Sequence, residues 1–76
     1  MNNSLNNALK SLPIAEKKRL ASIRFRQRML DLRSNGLTYI QITKKINYAV
    51  SRTYGTKLSE THIRTIIKGT NDNSLS

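Results

Sequence analysis

The sequence predicts an all-α fold, a small domain of three main helices. Apolar residues recur at intervals of three and four along the chain, and no segment shows the strict alternation of a strand. Glycines follow two of the periodic segments, at Gly36 and Gly55, as they often do where helices end. With 76 residues, the chain has the size of one domain.

The first helix is predicted to begin near Pro13 and to end at about Ser34. Proline suits the first turn of a helix, because the N–H that it lacks would have no partner there. Gly36 then provides the stop, since glycine readily takes the left-handed conformation that follows many helices.

Apolar side chains occupy two sides of this first helix instead of one. At about 100° per residue they form two nearly opposite stripes: Ile14, Ala21, Phe25, Met29 and Leu32 on one, and Leu20, Ile23 and Leu30 on the other. The second stripe predicts contact with a partner chain, either in a homodimer or in a side-by-side multimer. The alternative is one broad face that packs on both of the following helices.

Two basic strips separate these apolar stripes. They consist of Lys17, Arg24 and Arg28 on one side, and of Arg19, Arg26 and Arg33 on the other.

The second helix is predicted to open at Thr38. Gln41 stands three residues later, and this T-x-x-Q pattern is typical of a capping box, in which each side chain satisfies a free backbone N–H. One face then carries Tyr39, Ile42, Ile46, Ala49, Val50 and Thr53. That period indicates a helix that ends near Tyr54, before Gly55. The alternative ends it at Asn47 and leaves residues 48–58 as a loop.

The third helix is predicted to have Ser59 as its N-cap and to end at Gly69. Leu58 precedes the cap and can pair with Ile63 as a hydrophobic staple. The buried face is predicted to contain Ile63, Ile66 and Ile67.

The connection between the second and third helices, residues 55–58, is short and contains a glycine. Two helices joined in this way are typical of a helix-turn-helix motif. The chain is therefore divided into an N-terminal arm or short helix (1–10), a helix-turn-helix domain (11–69) and a polar C-terminal tail (70–76).

The charge of the chain indicates a polyanionic partner. Fourteen Lys and Arg stand against four Asp and Glu, for a net charge of +10. Nucleic acid is the first expectation, and an anionic membrane surface is the second. The split apolar stripes of the first helix do not suit the membrane alternative, because interfacial helices keep one apolar face.

The residue inventory argues against other functional classes. The chain has no cysteine, one histidine and four scattered acids, so we expect no metal, no cofactor and no catalytic site. No apolar run approaches the roughly 18 residues of a membrane span, and residues 1–9 lack the charged region of a signal peptide. We expect a cytoplasmic, nucleoid-associated protein that is not an enzyme.

The outer face of the third helix is the candidate for reading DNA bases. If the isoleucines point inward, this face presents Glu60, Thr61, Arg64, Thr65 and Lys68. Arginine can donate two hydrogen bonds to guanine, threonine can contact a base edge or the thymine methyl group, and glutamate can accept from cytosine. An ordinary solvated helix face would have a similar composition.

Residues around the second helix and the turn are candidates for binding DNA phosphates. They are Thr38, Gln41, Lys44, Lys45, Arg52, Thr56, Lys57 and His62. The free amides at the start of the second helix also favour an anion. The ring of Tyr39 is expected in the core, with its hydroxyl within reach of a phosphate.

The segment GLTYIQITKKIN resembles the first half of many bacterial helix-turn-helix domains, and LSETHIRTIIKG resembles their recognition helix, particularly in the DNA-binding segments of serine recombinases and resolvases. Thr43 stands where those domains usually have alanine. This likeness covers residues 36–69. A small basic helix-turn-helix protein of this kind also resembles regulators of plasmids and phages, among them the DNA-binding domain of plasmid stability proteins of the StbA type. That resemblance implies binding to direct repeats near a plasmid origin, repression of neighbouring promoters and a part in plasmid segregation.

We therefore expect a protein that binds double-stranded DNA sequence-specifically and acts as a transcriptional repressor or autoregulator of a plasmid or phage. The alternatives are a structured-RNA-binding protein and a helical protein-interaction module. The sequence does not distinguish direct from inverted repeats.

Overall fold

The computed structural model of the chain describes residues 8–72, which form an all-α domain. Its main helices are α1 (Ile14–Ser34), α2 (Tyr39–Tyr54) and α3 (Glu60–Asp72). Residues 8–10 are also helical. The predicted fold class is thus confirmed, and α2 runs its full predicted length instead of stopping at Asn47. The remainder of the predicted arm (1–7) and of the predicted tail (73–76) lies outside the described residues.

The ends of the helices follow the local signals of the sequence. Thr38 accepts a hydrogen bond from the Gln41 amide and the Gln41 side chain accepts one from the Thr38 amide, which completes the predicted capping box. Gly55 closes α2 in the left-handed conformation, with φ of 71°. The hydroxyl of Ser59 accepts a hydrogen bond from the His62 amide at 3.1 Å, as an N-cap does.

The end of α1 is a Schellman motif. Gly36 has φ of 92°, and its N–H donates to the carbonyl of Arg33 at 3.0 Å. The N–H of Leu37 donates to the carbonyl of Leu32 at 3.3 Å. These two hydrogen bonds satisfy carbonyls that the end of the helix would leave unpaired.

The prediction that α3 ends at Gly69 is wrong, because the helix continues to Asp72. Gly69 does not have a positive φ, so it continues the helix instead of capping it. Residues 70–72 therefore belong to α3 and not to the predicted tail.

A single hydrophobic core lies between the three helices. It consists of Ala21, Met29, Leu32, Ile42, Ile46, Val50, Tyr54, Leu58, Ile63 and Ile67. Partly buried side chains close its edges, among them Leu9, Phe25, Leu37, Tyr39 and Ile66. Ile66 is therefore less buried than the sequence predicted, while Ile63 and Ile67 are buried as expected.

The apolar stripes of α1 are used unequally. In the first stripe, Ile14 is 62% exposed because it begins the helix, before the residues of α1 that enter the core. In the second stripe, Leu20 and Leu30 pack against the core and Ile23 is exposed. Most of the stripe that was assigned to a partner chain thus belongs to the domain's own packing.

The side chain of Asn47 holds the turn that joins α2 to α3. Its amide Nδ2 donates to the carbonyl of Leu58, and its Oδ1 accepts from the amide of Leu58, both at 2.7 Å. The two hydrogen bonds pair both backbone groups of a residue that is 2% exposed. Since Leu58 immediately precedes the N-cap of α3, this contact fixes where the third helix begins.

We predict that Asn47→Ala lowers the free energy of unfolding by about 1–3 kcal/mol, because both polar groups of Leu58 lose their partner in a partly buried site. Urea denaturation followed by circular dichroism measures the change. Gln27→Ala is the matched control. It removes an exposed amide that bonds to Asp31 at 3.0 Å, and we expect a change within about 0.5 kcal/mol. Equal effects of the two variants would contradict the role of Asn47.

Replacement of Gly55 and of Gly69 by alanine is predicted to change the free energy of unfolding in opposite directions. Gly55→Ala should lower the free energy of unfolding by about 1 kcal/mol, because its left-handed backbone disfavours a Cβ. Gly69→Ala should raise it by about 0.5 kcal/mol, because alanine is the better residue inside a helix. An added Cβ at Gly69 meets nothing within 4 Å. Thermal denaturation of both variants checks the signs, and a stabilising Gly55→Ala would contradict the left-handed cap.

Candidate nucleic-acid interface

Helix α3 has a buried side and an exposed polar side. Ile63 and Ile67 are buried at 0% and 1% exposure. The opposite side presents Thr61, Arg64, Thr65 and Lys68, all of which are exposed. Four of the five predicted base-reading residues therefore lie together on an accessible surface, which we call the outer face of α3.

The fifth predicted reader, Glu60, is engaged by a neighbour. Its carboxylate accepts a hydrogen bond from Nη2 of Arg64 at 2.6 Å, four residues further along α3. Both side chains remain partly exposed, at 37% for Glu60 and 46% for Arg64. Glu60 is therefore better placed to orient Arg64 than to accept from cytosine by itself.

Arg64 also lies over an aromatic ring from another helix. Its guanidinium carbon is 4.9 Å from the ring centroid of Tyr39, the first residue of α2. The guanidinium of Arg33, near the end of α1, is 4.6 Å from the same centroid. The three helices thus meet at a cluster of two arginines and one tyrosine at the margin of the outer face. Tyr39 is half-buried and packs against the core, as the sequence predicted.

His62 contacts α1, a partner that the sequence did not indicate. Its Nε2 is 2.7 Å from the hydroxyl of Ser22, and that hydroxyl donates to the carbonyl of Lys18 at 2.7 Å. Because the hydroxyl proton is committed to the carbonyl, Nε2 must be the donor to the Ser22 oxygen. This bond ties α3 to α1 and engages the nitrogen that a phosphate contact through Nε2 would need.

The Ser22–His62 contact also shows which basic strip of α1 borders α3. At about 100° per residue, Ser22, Arg26 and Arg33 lie within one narrow sector of α1. Arg26 and Arg33 are exposed, and Arg33 shares the Tyr39 ring with Arg64 of the outer face. Neither was among the predicted site residues, although both belong to a basic strip that the sequence displays.

The predicted phosphate-binding residues do not form one continuous surface in the structure. Thr38 and Gln41 use their side chains in the capping box of α2. Lys44 and Lys57 line a common open groove of about 410 Å³ between α2 and the turn, together with Thr43, Asn47, Tyr48 and Ser51. Thr56, in the turn, is half-buried.

Lys45 and Arg52 lie on the other side of α2. At about 100° per residue they are well over 90° away from Asn47, which faces the turn and α3. Arg52 bonds to the Tyr48 hydroxyl at 3.0 Å and stacks over that ring at 5.3 Å. The structure therefore separates the neighbouring residues Lys44 and Lys45, of which only Lys44 lines the groove beside the turn.

The side chains of Glu16, Asp31 and Glu60 bond to neighbours on their own helices. Arg19 donates to Glu16 at 2.8 Å, and this hydrogen bond, with the positive charge of Arg19, lowers the pKa of the exposed Glu16 carboxyl. Glu60 forms an ion pair with Arg64 at 2.6 Å. No group of acids and histidine in residues 8–72 could hold a metal ion. No helix in this part of the chain has the length and apolar character needed to cross a membrane.

Comparison of the chain with protein-family models, with curated proteins and with solved structures finds no match.

We predict that Ser22 and His62 are energetically coupled across the α1–α3 contact. Ser22→Ala and His62→Ala should each lower the free energy of unfolding by about 0.5–1.5 kcal/mol, the usual net value of one hydrogen bond. Because both variants remove the same bond, the double variant should lose scarcely more than either single one. Urea denaturation of the four proteins measures the coupling. Fully additive losses would contradict a stabilising bond between the two side chains.

Proposed function

We propose that this protein binds double-stranded DNA sequence-specifically through the outer face of α3, and that it represses transcription by occupying its sites. The observation that carries the proposal is the division of α3 into a buried side and a polar, accessible side. Ile63 and Ile67 attach the helix to the core, and Thr61, Arg64, Thr65 and Lys68 remain accessible.

The side chains of the outer face suit the major groove. A groove about 12 Å wide admits one α-helix, and the edges of its base pairs offer acceptors and the thymine methyl group. Arg64 supplies paired donors for guanine, and Thr61 and Thr65 supply small side chains that allow close approach. The hydroxyl of Thr65 already bonds to the carbonyl of Thr61 at 2.9 Å, so its methyl group is the more available to a base.

Cations near α3 supply the affinity in this proposal. Arg33 of α1 shares the Tyr39 ring with Arg64, and Lys44 and Lys57 line the groove beside the turn that leads into α3. Each cation that contacts a phosphate releases condensed counterions, which favours binding and makes it depend on salt. The net charge of +10 acts in the same direction over a longer range.

One domain of this size contacts few bases, so we propose that several copies occupy repeated sites. A single small module buries only about 600–1,000 Å² on DNA, which limits the specificity of one copy. The resemblance to plasmid regulators points in the same direction, since it implies repeated sites.

We predict that Arg64→Ala removes sequence discrimination, whereas Lys44→Ala weakens all sequences alike. Arg64→Ala should lose about 1–3 kcal/mol on a matched duplex and much less on a scrambled one. Lys44→Ala should reduce affinity for both duplexes and lower the salt slope by about one. Lys45→Ala is the matched control, because Lys45 lies outside the groove, on the other side of α2, and its loss should cost less than Lys44→Ala.

The test begins with selection of bound duplexes from a random pool at near-physiological salt, followed by titrations at several salt concentrations. Equal losses on matched and scrambled duplexes for Arg64→Ala would remove Arg64 from the base readers. Competition with RNA hairpins tests the alternative partner. Preference for the hairpins over the selected duplex would overturn the proposed function.

A further inference from the structure

Tyr39 brings two arginines from different helices to one ring. Arg33 stands in the last turn of α1 and Arg64 in the first half of α3, and they are 31 residues apart in the sequence. Their guanidinium carbons nevertheless lie 4.6 Å and 4.9 Å from the centroid of the same ring. Both arginines are positively charged and therefore repel each other, so their attractive contacts with other groups must offset that repulsion.

Three groups hold the two arginines. The ring of Tyr39 attracts both cations through its negative face. Glu60 accepts from Nη2 of Arg64 at 2.6 Å, and the carbonyl of Leu37 accepts from Nη1 of Arg33 at 2.9 Å. A guanidinium has five N–H donors, so both arginines keep donors beyond these bonds. Both are exposed, so these donors are accessible to a ligand.

We infer that Tyr39 is a positioning residue that couples a base-reading arginine, Arg64, to a phosphate-binding arginine, Arg33. The inference rests on the proposed function. Arg64 lies on the outer face of α3, so it reaches the base edge and reads guanine. Arg33 lies at the border of that face on α1, so it contacts the backbone phosphate beside that base.

The coupling follows from the place of Tyr39 in the fold. Its ring packs against the core, so it is fixed relative to all three helices. A flexible arginine loses side-chain entropy when it binds, and prior contact with a fixed ring and a carboxylate reduces that loss. Glu60 likewise positions Arg64 and does not itself contact a cytosine. Two hydrogen bonds to guanine demand a fixed orientation, so discrimination depends on Tyr39 more than overall affinity does.

The experiment uses the duplex recovered by selection from a random pool with the whole chain. We expect the selected motif to contain a guanine whose replacement by adenine lowers the affinity of the protein for the duplex about tenfold or more. Arg64→Ala should bind the original and the substituted duplex equally. Arg33→Gln keeps a donor for the Leu37 carbonyl. It should weaken binding to both duplexes alike and lower the salt slope by about one.

The decisive variants are Tyr39→Leu and Tyr39→Phe. Tyr39→Leu keeps an apolar side chain for the core and removes the ring, so we expect it to lose most of the guanine discrimination. Tyr39→Phe keeps the ring and should therefore retain the guanine discrimination. Phe25→Leu is the matched control, because it removes another ring that packs against the core and lies under an arginine, Arg24, and it should leave discrimination unchanged.

The outcomes separate the inference from the proposed function. A pool that returns no motif overturns the proposed function. A motif without an Arg64-dependent guanine overturns the inference alone. The inference is also overturned if Tyr39→Leu lowers the affinity for both duplexes but leaves the ratio of the two affinities unchanged. That result would mean that Tyr39 only stabilises the fold. Thermal denaturation of each variant verifies that it is folded under the conditions of binding.

Discussion

Burial of Ile63 and Ile67 is the interaction on which the rest of the structure depends. A helix of 13 residues is marginal in water by itself, so α3 exists because its apolar side is packed. Removing each isoleucine from water contributes about 1.5–3 kcal/mol. The same burial decides which side chains of α3 remain accessible, so one packing event stabilises the helix and displays its polar face.

Polar contacts near the start of α3 refine what that burial begins. Asn47 pairs with the backbone of Leu58 and thus fixes the turn before the helix. His62 and Ser22 join the helix to α1 on one side. Tyr39 and Glu60 hold Arg64 on the other. These bonds are individually modest, but their directions are specific, and they fix the rotation of α3 about its axis more closely than two apolar side chains can.

The local features of the fold were predictable because each is encoded within a few consecutive residues. The capping box of Thr38 and Gln41 and the left-handed Gly55 lie where the sequence placed them. Gly69 was misread because a glycine alone does not distinguish a cap from a permitted helical position. Ile14 shares the stripe of Ala21 and Met29 but is exposed, because helical periodicity identifies one side of a helix but not how far along it the neighbouring helices extend.

The sequence by itself determined the three helices, the inward isoleucines of α3 and the positive charge that points to a polyanion, because periodicity, caps and composition are local or additive properties. Only the tertiary structure decided which basic strip of α1 borders α3, which lysine of the Lys44–Lys45 pair faces the groove, and that Arg33, Tyr39 and Arg64 meet. Those facts depend on the rotation and crossing of whole helices. The rotation is set by contacts such as Ser22–His62, between residues 40 positions apart, and no local pattern contains them.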